Sequence, residues 1–99
     1  MVDAFCLLGV KVEPYAMNEA AAALSRNLRD RKPAFVATVN TEIIMYCQKD
    51  PVFKSIINSA DFVLPDGIGV VWAGRYLGCK VPGRVTGCDL TEELFKLAD

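Results

Sequence analysis

Apolar and polar positions along the chain follow two periods, and the switches between them mark out the elements. Residues 5–12, FCLLGVKV, are apolar and β-branched enough to predict a first strand. Asn18 then stands before EAAAALSRNLRDR, a run of good helix formers whose basic residues gather at the end, where a helix dipole favours them. Pro33 breaks that helix. AFVATVN (34–40) predicts a second, buried strand, and TEIIMYCQ (41–48) a helix. Asp50-Pro51 reads as an N-cap followed by proline at the first helical position, opening VFKSIINSA. FVL (62–64) predicts a third strand, and GIGVVWAGRYLG (67–78) a helix that Gly78 closes in a left-handed conformation. KVPGRVTG (80–87) predicts irregular chain or a short strand. Asp89 and Glu92 have capping-box spacing for a last helix over LTEELFKLA.

Strands alternating with helices, without an Asn-Gly hairpin signal, predict parallel β-α units. The expected fold class is α/β: a Rossmann-like three-layer domain with a small, mainly parallel sheet flanked by helices. The 99 residues make one domain, 1–99, with no internal repeat or linker. So narrow a sheet is expected to be part of a larger unit.

Hydrophobic residues make up 53% of the chain. A parallel sheet buried on both faces absorbs part of that surplus, and a surface made for more chain, another subunit or lipid absorbs the rest. Lys plus Arg number 11 against 12 Asp plus Glu, a net charge of −1, so no global field gathers nucleic acid. With no histidine and no CxxC among four cysteines, zinc and iron–sulfur sites are not expected. Cys6 and Cys47 read as small core hydrophobes of a reducing compartment, and Cys79 and Cys88 as more exposed. Asp3 interrupts the early apolar run, and no run reaches the ~18 apolar residues of a membrane span, so a cytoplasmic, soluble or peripheral location is expected.

In an open parallel sheet, ligands gather at the carboxyl ends of the strands. Polarity concentrates at two such ends, Thr38-Val39-Asn40 and Asp66-Gly67. If the two strands are neighbours, Thr38, Asn40 and Asp66 line one rim. Each also has a purely structural role open to it: Asn40 and Asp66 as helix N-caps, Thr38 as an ordinary strand residue. The segment DGIGVVWAG contains GxG, but Trp72 holds the third glycine position of a dinucleotide fingerprint, and the motif follows the third strand rather than the first. There is no DxD pair to carry a divalent ion. A phosphate would therefore rely on cationic side chains or helix N-termini. Arg84, in PGRVTGCDL, is the best-placed cation, and Arg75, inside a helix, is expected to face solvent.

Taken together, TVNTE, the stretch from Asp50-Pro51 through ADFVLPDGIGVV, and RVTG resemble the N-terminal part of the WecG/TagA/CpsF glycosyltransferases, in family order and over nearly the whole chain. The resemblance implies an inverting transferase that moves N-acetylmannosamine, or a related sugar, from a UDP-sugar to GlcNAc-diphospho-undecaprenol. That reaction feeds teichoic acid or common antigen synthesis at the inner face of the cell membrane, with no metal or other cofactor and with self-association. It implies Asp66 as general base, with Thr38, Asn40 and Arg84 binding substrate, and Gly67, lacking a side chain, permits close contact by a sugar ring. Thr41 stands where many relatives have proline, and Cys88 where a small residue is common. Family enzymes are longer, so the chain is expected to be an N-terminal portion, inactive alone. The competing expectation is a non-catalytic α/β binding or assembly module that buries its apolar surplus against a partner.

Overall fold

A computed structural model describes residues 4–98, except for the side chains of Cys88, Leu97 and Ala98. Asp3 and the Cys88 side chain, on which two expectations rest, lie outside the described residues. The elements run β1 (Phe5–Leu7), β2 (Val10–Val12), α1 (Met17–Arg29), β3 (Val36–Val39), α2 (Thr41–Lys49), α3 (Pro51–Asn58), β4 (Phe62–Pro65), α4 (Ile68–Tyr76) and α5 (Gly87–Ala98). The class is α/β, as expected.

β3 and β4 pair in parallel, with Val36 opposite Phe62 and Val39 opposite Pro65. Alternation along these strands feeds two cores. Ala37, Val39 and Val63 join Ile44, Cys47, Ile57, Val70 and Val71 of α2, α3 and α4 on one face. On the other face Leu64, with Val36 and Phe62 beside it, packs on Ala20, Ala21, Leu24 and Leu90 of α1 and α5. The result is three layers: helices, sheet, helices.

The segment 5–12 differs from the single strand expected. It is an antiparallel hairpin, with Phe5 opposite Val12 and Leu7 opposite Val10. Leu8 (φ 50) and Gly9 (φ 83) both take the left-handed conformation of a two-residue turn. Leucine at the first of those positions hides the turn from sequence reading, because asparagine, aspartate or glycine normally stands there. Helices pay for the turn's geometry with side chains: Gln48 of α2 donates to the Leu8 carbonyl (2.8 Å), and Asn58 of α3 donates to the Gly9 carbonyl (2.9 Å). The hairpin also explains Cys6, which pairs with Lys11 on the outward face and is exposed rather than in the core. Cys47 is buried as expected, and burial pushes its thiol pKa up.

Hairpin and parallel pair are separate two-stranded sheets joined at Glu13. Its amide donates to the Val63 carbonyl (2.7 Å), and its carboxylate accepts from the Val63 amide (3.0 Å). One residue, through its backbone amide and its carboxylate, thus satisfies the edge of β4 at Val63, where a further strand would otherwise pair.

Two helix starts are also displaced from expectation. α1 begins before Asn18, with the Glu19 carboxylate accepting from the Ala16 amide (3.0 Å). α5 begins before Asp89, whose amide donates to the Thr86 hydroxyl (3.2 Å), so Thr86 takes the cap assigned to Asp89. Asp50 caps α3 as expected, accepting from the Phe53 amide (3.0 Å), and Gly78 (φ 90) closes α4.

Gly74 sits at the tightest contact of α4. A Cβ there would lie 2.7 Å from the Phe5 ring and from Val81 Cγ2. Alanine gains about 1 kcal/mol of helix propensity, but overpacking a filled core costs about 1–3 kcal/mol. Gly74→Ala is therefore expected to destabilise the fold by about 1 kcal/mol, lowering the urea midpoint. A raised midpoint would show that the α4–hairpin contact is looser than described.

Candidate active site

The register of β3 on β4 places the two polar strand ends side by side. Val39 faces Pro65 in the ladder, and the Asp66 amide donates to the Val39 carbonyl (2.9 Å), so Asn40 and Asp66 leave the sheet together. Gly67 lies against Asn40, where a Cβ would come 3.4 Å from the Asn40 Cβ. Two residues on, a Cβ at Gly69 would lie 2.7 Å from Thr41 Cγ2, so the first turns of α2 and α4 touch. Two helix N-termini thus converge on this rim.

The two polar residues divide the structural work unequally. Asn40 caps α2, its Oδ1 accepting from the Ile43 amide at 2.9 Å. That leaves its amide NH₂ without a hydrogen-bond partner among the described residues. Asp66 caps nothing. The N-cap of α4 is Gly67, with no side-chain cap, and the partly buried Asp66 carboxylate accepts no hydrogen bond among the described residues. Nor do the Ile68 and Gly69 amides find an acceptor there. The rim therefore holds a free carboxylate beside free N–H donors and the positive end of a helix dipole.

Thr38 shares a sheet face with Leu64, by their direct pairing, and lines a cavity of about 360 Å³ between α1, α5 and β3. A Cβ at Gly87, the first residue of α5, would lie 4.0 Å from its hydroxyl oxygen. Arg84 arrives from a different direction. The Val85 amide donates to the Pro65 carbonyl (2.6 Å), which sets the 84–85 backbone beside the end of β4. The exposed Arg84 side chain lines a second cavity of about 440 Å³, with Ile68, Val71, Trp72, Arg75 and Gly83. Thr38 and Arg84 thus flank the rim from separate clefts rather than sharing one.

Arg75 does not simply face solvent. Its Nε and Nη2 both donate to the Val81 carbonyl, at 3.0 and 2.8 Å, pinning the loop that carries Arg84 onto α4. Sequence reasoning also missed Asp61, whose carboxylate accepts from the Phe35 amide (2.7 Å) while its own amide donates to the Phe35 carbonyl (2.8 Å). This clamp fixes the register at the entry to both strands. An acidic residue just before a predicted strand was its only signal in the sequence.

The family model described as Glycosyl transferase WecG/TagA/CpsF family matches residues 5–99. The chain is 40% identical over 72 residues to an N-acetylglucosaminyldiphosphoundecaprenol N-acetyl-β-D-mannosaminyltransferase of Bacillus spizizenii, a stretch that covers 73% of the chain and 28% of that protein. Similar proteins of the same name occur in Bacillus subtilis, 36% identical over 77% of the chain and 30% of that protein, and in Staphylococcus aureus, 34% identical over 65% of the chain and 25% of that protein. The chain belongs to the WecG/TagA/CpsF glycosyl transferase family. It matches less than a third of the length of these curated relatives.

The division of labour at the rim sets a stability test. Asn40→Ala removes a helix cap and is expected to cost about 1 kcal/mol. Asp66→Asn removes no hydrogen bond and is expected to stay within about 0.5 kcal/mol of the parent. Urea denaturation of both variants measures the difference, and a larger loss at Asp66 would assign that carboxylate a structural partner.

Proposed function

We propose that the chain forms the part of an inverting glycosyltransferase that presents the general base. The enzyme would move N-acetylmannosamine, or a related sugar, from a UDP donor to GlcNAc-diphospho-undecaprenol. The observation that carries this reading is the uncommitted Asp66 carboxylate at a strand end, next to an asparagine that has already taken the capping role. Family membership and the names of the similar proteins supply the substrate class.

In this reading the acceptor hydroxyl oxygen attacks the anomeric carbon from the face opposite UDP. Its proton passes to Asp66 as the new C–O bond forms. The old bond breaks towards the diphosphate, and the electron pair leaves with it. A base acting in such a step contributes about 10²–10⁴-fold. The free amides at the start of α4 and the Arg84 guanidinium offset charge growing on phosphate oxygens. Thr38 and the Asn40 NH₂ group hold sugar hydroxyls, and Gly67 leaves room for a ring beside the base. The remaining contacts come from chain that the relatives carry outside the matched stretch, and the enzyme works as a peripheral protein at the inner face of the membrane.

A second reading, an assembly module, draws on the exposed Met45, Tyr46, Val52 and Ile56 of α2 and α3, which suit self-association. It gives the Asp66 carboxylate no work.

The test replaces the segment of the Bacillus subtilis relative equivalent to residues 5–99 with those residues and assays sugar transfer. Asp66→Asn in that chimera is expected to lower turnover by about 10²–10⁴-fold with the melting temperature unchanged. Near-normal turnover would remove Asp66 from the role of base.

A further inference from the structure

Residues 79–86, between α4 and α5, form neither helix nor strand, yet two buried valines fix their course. Val81 (4% exposed) belongs to the core on the α2–α4 side of the sheet, with Phe5, Val70 and Val71. Val85 (0%) belongs to the core on the other side, with Leu64 and Leu90. The segment therefore crosses from one face of the sheet to the other. The Val85–Pro65 hydrogen bond places the crossing at the end of β4, next to Asp66. Pro82, Gly83 and Arg84 make up the whole span between the two valines.

Each end of that span has one backbone group to satisfy. The Val85 amide is met by the Pro65 carbonyl. Among the described residues the Val81 carbonyl is met by Arg75 alone, through Nε at 3.0 Å and Nη2 at 2.8 Å, with Nη2 also 3.5 Å from the Pro82 carbonyl. A planar guanidinium that bonds at two points fixes direction as well as distance, which the point charge of a lysine does not. Arg75 makes no ion pair among the described residues, so its donors serve a neutral carbonyl rather than a countercharge. Its own helix is seated in the core by Val70, Val71 and Gly74. The span that carries Arg84 is thus referred to a rigid element.

We propose that Arg75 is a positioning residue: by holding the Val81 carbonyl it fixes the Pro82–Arg84 span beside the end of β4 and sets the reach of Arg84 towards the rim. This rests on the transferase reading above, in which Arg84 offsets charge on phosphate oxygens, and adds the residue through which α4 controls where that guanidinium stands.

Two readouts separate the holding role from the chemistry. The first is tryptic cleavage of the Arg84–Val85 bond in the 99-residue chain. Val85 is buried and its amide is bonded, so cleavage requires local opening. Arg75→Gln and Arg75→Lys, with unchanged circular dichroism, are expected to speed it about ten- to hundredfold, the loss of charge-assisted hydrogen bonds. The second readout is transfer by the chimera. Both substitutions are expected to lower kcat about tenfold with KM little changed, as Arg84→Gln does, because the guanidinium meets charge that grows in the step. In the double variant Arg75→Gln is expected to add no more than about twofold to Arg84→Gln, since nothing is left to position. Parent-rate cleavage in Arg75→Gln would overturn the proposal, and so would parent-like cleavage and kcat in Arg75→Lys, which would make Arg75 a charge rather than a two-point holder. Losses that multiply in the double variant, or a normal kcat in Arg75→Gln where Arg84→Gln is impaired, would overturn it as well. Faster cleavage together with normal transfer by Arg84→Gln would overturn the part given to Arg84 in the transferase reading and leave the holding role of Arg75 standing.

Discussion

The parallel register of β3 on β4 is the constraint on which the rest of the molecule depends. It is held at entry by the reciprocal Asp61–Phe35 hydrogen bonds and at exit by the bond from the Asp66 amide to the Val39 carbonyl. A slip of one residue would turn Val63 and Leu64 to the wrong cores and carry Asp66 away from Asn40. Glu13 and Val85 then bond to the other edge of β4, at Val63 and Pro65, so the strand that ends in Asp66 is hydrogen-bonded on both sides. A carboxylate launched from such a strand has a fixed origin, which a reactive group requires to better than an ångström.

From that frame follows the contrast between the two polar residues at the strand ends. Asn40 has one acceptor and uses it on α2, a contribution of about 1 kcal/mol. Asp66 lies just before a helix whose cap is a glycine, so the fold gains nothing from its charge through hydrogen bonding. Leaving a carboxylate uncommitted beside unpaired amides forgoes a cap of similar size. Under the proposed function, a substrate would offer the compensation that the fold does not. The same economy distinguishes the two arginines, one committed to the Val81 carbonyl and the other open to a cleft.

Much of this was legible in the residues. The α/β alternation, the buried parallel pair, the Asp50 cap, the Gly78 closure and the neighbouring polar ends all follow from patterns with a local cause. The features that escaped depend on partners distant in sequence. Leu8 in a left-handed turn is tolerable only because Gln48 and Asn58 hold the turn's carbonyls, some forty residues away or more. Cys6 looks like core until the hairpin turns it outward. Thr86 outcompetes Asp89 as a cap because the 84–86 segment is already fixed by the Val85–Pro65 bond. Arg75 looks solvent-facing until the loop folds back onto its helix.

The most direct test of the central claim is amide hydrogen exchange read residue by residue at Asp66 and Val85. With the register and flanking bonds described, both amides exchange as slowly as those of Val63 and Leu64 in the middle of β4. Exchange at either site near the rate of an unstructured chain would mean that the strand end is not held, and the placement of the Asp66 carboxylate would fail with it.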